Sequence, residues 1–515
     1  MLRNITLDEV VEVTGGALVD GPQTGPTSGE EICTSVSTDT RTLQPGALFV
    51  ALKGENHDAH DYLEIAQAKG ATGLVVSRTL HLAEARLPHV VVTDTTHALG
   101  DIARYVRDAF KGPVVGVTGS VGKTTAKEMI AAVLSANYHT LKSEANYNNE
   151  IGVPQTLFAL DDTHTAAVVE MGMRAQGQIQ RLAEIAAPTI GVITNIGLSH
   201  IELLGSRENI ARAKGELFAC LPATGGLAVY PAADDYTYLL RSFYKGTDVL
   251  TCAIEGYADV QATKVTRHEN GWRFTVYSPW GTQKMFLPSP GRFNIMNALF
   301  AVAVGGHLGI PLDSIARALL HWQPAKMRLE VLHAANGATI LSDAYNAAPD
   351  SMVGALETLR DTPLGPGGKR IAILGEMREL GPYAAEAHAS VGRMAAKIKP
   401  DFLITIGELT QKLAAAAIGA GFPQEKIHPF ESTQKAAELV PMIIQSGDVV
   451  LVKGSRAMEL EKIVLALKPD AKPVDGESGA VPDAVVPDAA VPETETKVEK
   501  PLDSNLYVPS PPEIN

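Results

Sequence analysis

The stretch from Gly116 to Thr125, GVTGSVGKTT, constrains the fold more than any other segment of the chain. It follows the apolar run Pro113 to Val115 and leads into TTAKEMIAAVLSAN, which has the length and texture of a helix. A strand that turns through glycines into a helix N-terminus makes an anion site, because free backbone N–H groups and the helix dipole face one point. The common phosphate-loop pattern, G-x-x-x-x-G-K-[ST], has a glycine where this chain has Val117. The mechanics survive the altered spacing. Gly119 and Gly122 let the backbone approach phosphate oxygens, Lys123 reaches the terminal phosphates, and the Thr124 hydroxyl is placed to coordinate magnesium. The alternative is an ordinary glycine turn followed by a solvated lysine.

Such a loop belongs at the end of a parallel sheet, and the chain supplies short β-branched runs in three series. GALFVAL (Gly46 to Leu52), ATGLVVS (Ala71 to Ser77) and HVVVTD (His89 to Asp94) form the first. The second is PVVGVT, TAAVVEMG (Thr165 to Gly172), TIGVITNIG (Thr189 to Gly197) and GLAVYP (Gly226 to Pro231). ATILSDAY (Ala338 to Tyr345), KRIAILG (Lys369 to Gly375), DFLITIG (Asp401 to Gly407) and DVVLVKG (Asp448 to Gly454) form the third. Runs apolar throughout indicate parallel strands covered on both faces. The expectation is an α/β protein of three domains: 1–111, a central P-loop-type ATPase domain at 112–325, and a Rossmann-like domain at 326–468.

At 515 residues the chain can bury several cores, and 45% hydrophobic with 20% charged residues suits a globular protein. The formal net charge is −14, and half of it sits at 470–515, where ten acidic and three basic side chains occur. That segment contains the near-repeat VPDAV VPDAA VPETE (Val481 to Glu495), too rich in proline and too poor in large apolar groups to order itself. It reads as a disordered acidic tail at 469–515, an expected contact for a protein partner. The mildly acidic body argues against nucleic-acid binding on a broad basic face. No apolar run approaches a membrane span and the start has no apolar signal core, so a cytoplasmic protein is expected. Cys33, Cys220 and Cys252 are too few and too scattered for a disulfide framework or a thiolate zinc cage.

In open parallel sheets the carboxyl ends of the strands line the ligand crevice. Here those ends bring Glu170, then Thr194 and Asn195, and a little further His200. A carboxylate and an imidazole beside a triphosphate suit a magnesium site that retains waters. Taken singly, Glu170 also reads as a helix-cap carboxylate and His200 as a surface loop histidine.

TGSVGKTT matches in full the form T-G-[ST]-x-G-K-[ST]-[ST], and with it the chain resembles the Mur ligases, ATP-dependent amino-acid and peptide ligases of peptidoglycan synthesis. The resemblance runs from residue 37 to about 465. STDTR (Ser37 to Arg41) with GALFVALKGENHDAHDY resembles the domain that holds the uridine nucleotide sugar. NYNNEIGVP (Asn146 to Pro154), EMGM at Glu170, TNIGLSHIELLGSRENIARAKGE (Thr194 to Glu216) and NIMNALFAVA (Asn294 to Ala303) resemble the ATPase domain. DAYNAAPDSM (Asp343 to Met352), LGEMRELG (Leu374 to Gly381) and KGSR (Lys453 to Arg456) resemble the carboxy-terminal domain.

The resemblance implies roles. Gly119, Ser120, Val121, Gly122, Lys123, Thr124 and Thr125 would hold the ATP phosphates, Asn297 would face adenine, Asp343 ribose and Arg328 the phosphates. Thr124, Glu170, His200 and a carbamylated Lys214 would hold magnesium, two ions in all; without the resemblance Lys214 is a helix-surface lysine. Lys123, Glu170, His200 and Lys214 are thus the implied catalytic set. Ser37, Thr38, Asp39 and Arg41 would contact the nucleotide sugar. Asn146 and Asn149, otherwise turn-forming asparagines, would line the channel to the γ-phosphate, and Tyr345 and Asn346, otherwise packing residues, would contact substrate. The YNAAP segment favours the member that adds D-alanyl-D-alanine to UDP-N-acetylmuramoyl-tripeptide through an acyl phosphate. The alternatives are a ligase adding the third amino acid, or a nucleotide-gated scaffold. Three positions depart from the family pattern: Phe293 in place of histidine, KMR at 326–328 in place of a Gly-Arg pair, and Ala59 in place of glycine.

Overall fold

The computed structural model describes residues 3–21, 28–54, 56–80 and 86–468. The acidic segment 469–515, with its repeat at 481–495, lies outside the described residues.

The first series of runs builds a five-stranded sheet in the order Ala17–Val19, His89–Val91, Gly73–Val76, Ala47–Val50, Ser35–Ser37, parallel except at the Ala17–Val19 edge. Helix Thr95–Ala109 follows. Asp94 caps it, accepting from the Thr96 and His97 N–H groups, and Leu99, Ile102, Ala103 and Val106 form its buried face. This helix also ties the first sheet to the centre of the molecule. Arg107 donates to the carbonyls of Ala186 and Ala187 at 2.7 and 2.8 Å, and Asp101 accepts from Arg181 at 2.8 Å.

The central sheet has nine strands, ordered Gly281–Leu287, Gly271–Ser278, Val260–His268, Val249–Ile254, Leu227–Pro231, Ile190–Ile193, Val114–Thr118, Ala166–Glu170, Thr140–Lys142. All five residues of Val114–Thr118 and of Ala166–Glu170 are buried, as continuous apolar runs require when helices cover both faces. The expected parallel sheet is extended at one edge by an antiparallel meander, residues 260–287, joined through tight turns. Burial alternates along Val260–His268, the mark of a strand with one wet face. Register decides the site: Glu170 pairs with Val117 and Ile193 with Thr118, so three neighbouring strands end level.

The third sheet runs Glu330–His333, Thr339–Asp343, Val449–Lys453, Arg370–Gly375, Phe402–Ile406, Ile427–Phe430, parallel except for the first strand. Its strand ends also face the centre, placing Asp343 and Lys453 side by side in register.

Candidate active site

The three sheets surround one cleft of about 2060 Å³. Ser37, Thr38, Asp39 and Arg41 line it from the first sheet. Ser120 to Thr125, Asn146, Asn149, Glu170, His200 and Asn297 line it from the centre, and Arg328, Asp343, Tyr345 and Asn346 from the third. Two of the expected residues stand behind its wall: Gly119 and Lys214.

The phosphate loop is held by its neighbours. Ser120 N–H donates to the Asn195 carbonyl at 3.1 Å, Val121 N–H to Asn195 Oδ1 at 2.8 Å, and Thr194 Oγ1 to the Val121 carbonyl at 2.5 Å. Gly122 has φ +86°, a left-handed conformation that glycine adopts without strain, and a Cβ there would lie 2.9 Å from Asn297 Oδ1. A Cβ on Gly119 would lie 1.9 Å from Thr194 Oγ1. Both glycines are therefore required by space as well as by backbone. Lys123 donates to the Gly119 carbonyl at 2.8 Å, curling over the loop it serves. Burial pushes its ammonium below the ordinary lysine range, while Glu170 opposes that shift.

Glu170 is buried at the end of its strand. Asn148 Nδ2 donates to its Oε1 at 2.9 Å, whereas Oε2 has no hydrogen-bond partner and lies 3.8 Å from Lys127 Nζ. A buried carboxylate oxygen left open beside a phosphate loop and the Thr124 hydroxyl fits a hard divalent cation. His200 takes φ +64° at the start of helix Ile201–Leu204, and its Nδ1 lies 2.8 Å from Glu379 Oε2, off the line of a hydrogen bond. Burial pushes the imidazole below its ordinary range, and the nearby Lys123 and Lys214 add to this against Glu379. Lys214, on helix Arg207–Ala219, is 1% exposed. Burial, with Lys123 nearby, holds its amine well below the ordinary lysine range. Lys123, Glu170, His200 and Lys214 thus share one electrostatic neighbourhood, the first three on the cleft and the fourth behind it.

The third sheet closes over this group. Arg328 reaches Thr124 Oγ1 at 3.4 Å and lies 3.9 Å above the Tyr345 ring. Met327 holds φ +57°, the conformation that the missing glycine of a Gly-Arg pair would take easily, so the arginine is still presented. Asp343 is buried between the Leu329 N–H, 3.1 Å from Oδ1, and Lys453 Nζ, 2.6 Å from Oδ2. Lys453 also donates to the Asn346 carbonyl at 3.0 Å, and Asn346 Oδ1 accepts from the Ala347 N–H. Phe293, where the family pattern has histidine, packs its ring toward Gly354 of helix Pro349–Asp361.

On the first domain, Asp39 and Arg41 pair with each other. Arg41 Nη2 lies 2.6 Å from Asp39 Oδ2, and the guanidinium holds that carboxyl below its usual range. Ser37 Oγ donates to the Asp39 carbonyl at 3.0 Å, and Thr38 Oγ1 accepts from Gln155 of the central part at 3.2 Å. Ala59 sits at the start of a 3₁₀ turn and is not among the positive-φ residues, so its Cβ costs nothing there.

Three residues at the site escaped the sequence reading. Lys127 is fully buried, donates to the Ser143 carbonyl at 2.7 Å and lies 3.1 Å from Glu128 Oε1. Its spacing of four from Lys123 puts both on one helix face, a signal the sequence did carry. In NYNN the residue on Glu170 is Asn148, while Asn149 Oδ1 accepts from the Ile151 and Gly152 N–H groups and starts helix Gly152–Phe158. Nothing local distinguishes these asparagines. Glu379 lies in LGEMRELG (Leu374 to Gly381), which the sequence reading singled out as a segment without singling out this residue, and meets His200 only through tertiary structure.

Comparison with known proteins agrees with this geometry. The Mur ligase catalytic-domain family matches residues 33–107, the Mur ligase middle domain residues 117–305, and the Mur ligase glutamate ligase domain residues 327–456. The chain belongs to the Mur ligase family. Among its relatives is the UDP-N-acetylmuramoyl-tripeptide--D-alanyl-D-alanine ligase of Escherichia coli (strain K12), 36% identical over 468 residues, 90% of this chain and 98% of that protein. A crystal structure of MurF from Acinetobacter baumannii superposes with a TM-score of 0.81 at 32% identity, covering 90% of this chain and 99% of that one. MurF ligase from Thermotoga maritima, solved with ADP, gives 0.75 at 26% identity, covering 84% and 96%.

Proposed function

We propose that this chain is the ATP-dependent ligase that joins D-alanyl-D-alanine to UDP-N-acetylmuramoyl-tripeptide. The observation that carries the reading is one cleft in which a phosphate loop, an open buried carboxylate oxygen and residues of all three sheets converge, in a chain matched over 90% of its length by a relative that bears that name. We assign 1–111 to the nucleotide sugar, 112–325 to ATP and 326–468 to closure over the acceptor.

A carboxylate is a poor electrophile. Its oxygen attacks the γ-phosphorus of ATP, ADP leaves, and the acyl phosphate forms. The free amine of the dipeptide then attacks the acyl carbon, loses a proton, and phosphate departs with the original carboxylate oxygen. The loop glycines and Lys123 hold the phosphates, and Arg328 and Lys123 offset charge on the transferred group. Asn297 faces the base and Asp343 the ribose. Thr124, Glu170 and His200 would hold magnesium, which when bound neutralises phosphate charge. Burial favours the unprotonated amine, the form that adds carbon dioxide, so Lys214 is assigned as a carbamate that would supply an anion for a second magnesium ion. Carbon-13 bicarbonate should give a carbamate resonance that disappears in Lys214→Ala. The need for ATP and a uridine-linked substrate supports a cytoplasmic reaction. No helix among the described residues is long and apolar enough to cross a membrane. The acidic charge of 469–515 is where a protein partner is to be sought.

The test of the chemistry is isotopic. Tripeptide substrate labelled with oxygen-18 in its terminal carboxylate should deliver one label to inorganic phosphate, read by phosphorus-31 NMR. Label recovered in AMP would instead show adenylate formation and refute the acyl phosphate.

A further inference from the structure

The outer edge of the central sheet carries a second group of metal-ligating side chains, none of which lines the cleft. His139 precedes the edge strand Thr140–Lys142, and Asp161 and His164 lie in the turn before its neighbour Ala166–Glu170. Backbone bonds fix the two histidines against each other. The His139 carbonyl accepts from Thr165 N–H at 2.8 Å and from Ala166 N–H at 3.3 Å, and His139 N–H donates to Thr165 Oγ1 at 2.9 Å. The rings consequently stack, with centroids 4.6 Å apart and planes 13° from parallel. Asp161 is fixed as well: its Oδ1 accepts from Thr163 N–H at 2.9 Å and Thr163 Oγ1 at 2.5 Å. The same Oδ1 lies 2.8 Å from His164 Nδ1.

One ligand atom from each of the three residues lies within 4.8 Å of the others. Ligand atoms around a tetrahedral zinc ion are about 3.3 Å apart, given metal–nitrogen bonds of about 2.0 Å. Reaching that spacing requires the two rings to turn out of their stack about their side-chain torsions, because near-parallel planes do not aim two nitrogen lone pairs at one point. Two imidazoles and a carboxylate suit zinc, nickel or copper(II); magnesium prefers oxygen and so stays with the phosphates. We propose that His139, Asp161 and His164 form a divalent transition-metal site that clips the edge strand to its neighbour, at the end opposite Glu170.

The site is tested by calorimetric titration of the full chain with zinc chloride in excess magnesium, alongside His139→Ala/His164→Ala. The double variant should lose one equivalent of zinc relative to the unaltered protein, with ligase activity in zinc-free buffer unchanged. Asp161→Asn should weaken the same equivalent by about tenfold. Zinc should raise the melting temperature of the unaltered protein and not that of the double variant. Cobalt(II), read in the unaltered protein, should show visible d–d bands with no thiolate charge-transfer band. Absence of a micromolar zinc equivalent, its retention in the double variant, or a thiolate band with cobalt would each overturn the proposal.

Discussion

Lys127 is the residue whose removal should be felt most widely. It is buried between Ser143, Glu128 and Glu170, so Lys127→Met leaves the buried Glu170 carboxylate without its ion-pair partner, while Glu128 keeps Lys142. Breaking one partner out of such a group costs roughly 3–5 kcal/mol, and the denaturation midpoint should fall accordingly. In a double-mutant cycle Glu170→Gln should cost less in the Lys127→Met background than alone; additive costs would contradict the coupling. His388 makes a separate prediction at this scale. Its Nε2 accepts from the Met377 N–H at 3.0 Å and its Nδ1 lies 2.7 Å from the Ala384 carbonyl, which fixes a neutral ring with the proton on Nδ1. Burial lowers its pKa in the folded state below the ordinary 6.5. The unfolded chain therefore takes up this proton first as pH falls, so the stabilisation present above the unfolded value is lost as pH drops through the folded one. Melting temperature followed from pH 7 to pH 5 should fall less steeply in His388→Gln than in the unaltered protein.

At the scale of elements, the phosphate loop is the segment that tolerates least. Gly122→Ala must place a side chain at φ +86° and against Asn297 Oδ1; backbone strain of this kind costs roughly 1–3 kcal/mol. The KM for ATP should rise by about tenfold or more while circular dichroism stays native. An unchanged KM would mean that the loop does not hold the phosphates as described. This loop was legible in sequence because its function depends on residues adjacent in the chain: a strand, two glycines, a lysine and a helix start. The eleven apolar runs were legible for the same local reason, since strands buried on both faces are apolar at every position. The meander at 260–287 was not, because Lys264, Arg267 and His268 break the apolar pattern. Asn148 and Glu379 were hidden for a different reason. Each matters through a partner 22 or 179 residues away, Glu170 and His200 respectively, and only the fold brings those pairs together. Lys214 illustrates the same limit: its position on a helix says surface, and only packing makes it a buried amine.

For the whole molecule, the residues assigned to ligands are divided among three sheets, and this implies that closure completes the site. Arg328 to Thr124, His200 to Glu379, and Tyr383 OH to the Gly205 carbonyl at 3.1 Å already span the central and third parts. ATP with the nucleotide sugar should favour the closed arrangement and keep water from the acyl phosphate. Small-angle scattering should show a smaller radius of gyration with both ligands than with neither, and an unchanged radius would count against closure. The most direct test of the assigned activity is phosphate release from purified protein with magnesium, ATP, UDP-N-acetylmuramoyl-tripeptide and D-alanyl-D-alanine, each omitted in turn. The account predicts release only when all are present, with a product whose mass is that of the pentapeptide. Turnover with a single amino acid and the dipeptide-bearing precursor, and none with D-alanyl-D-alanine, would contradict it.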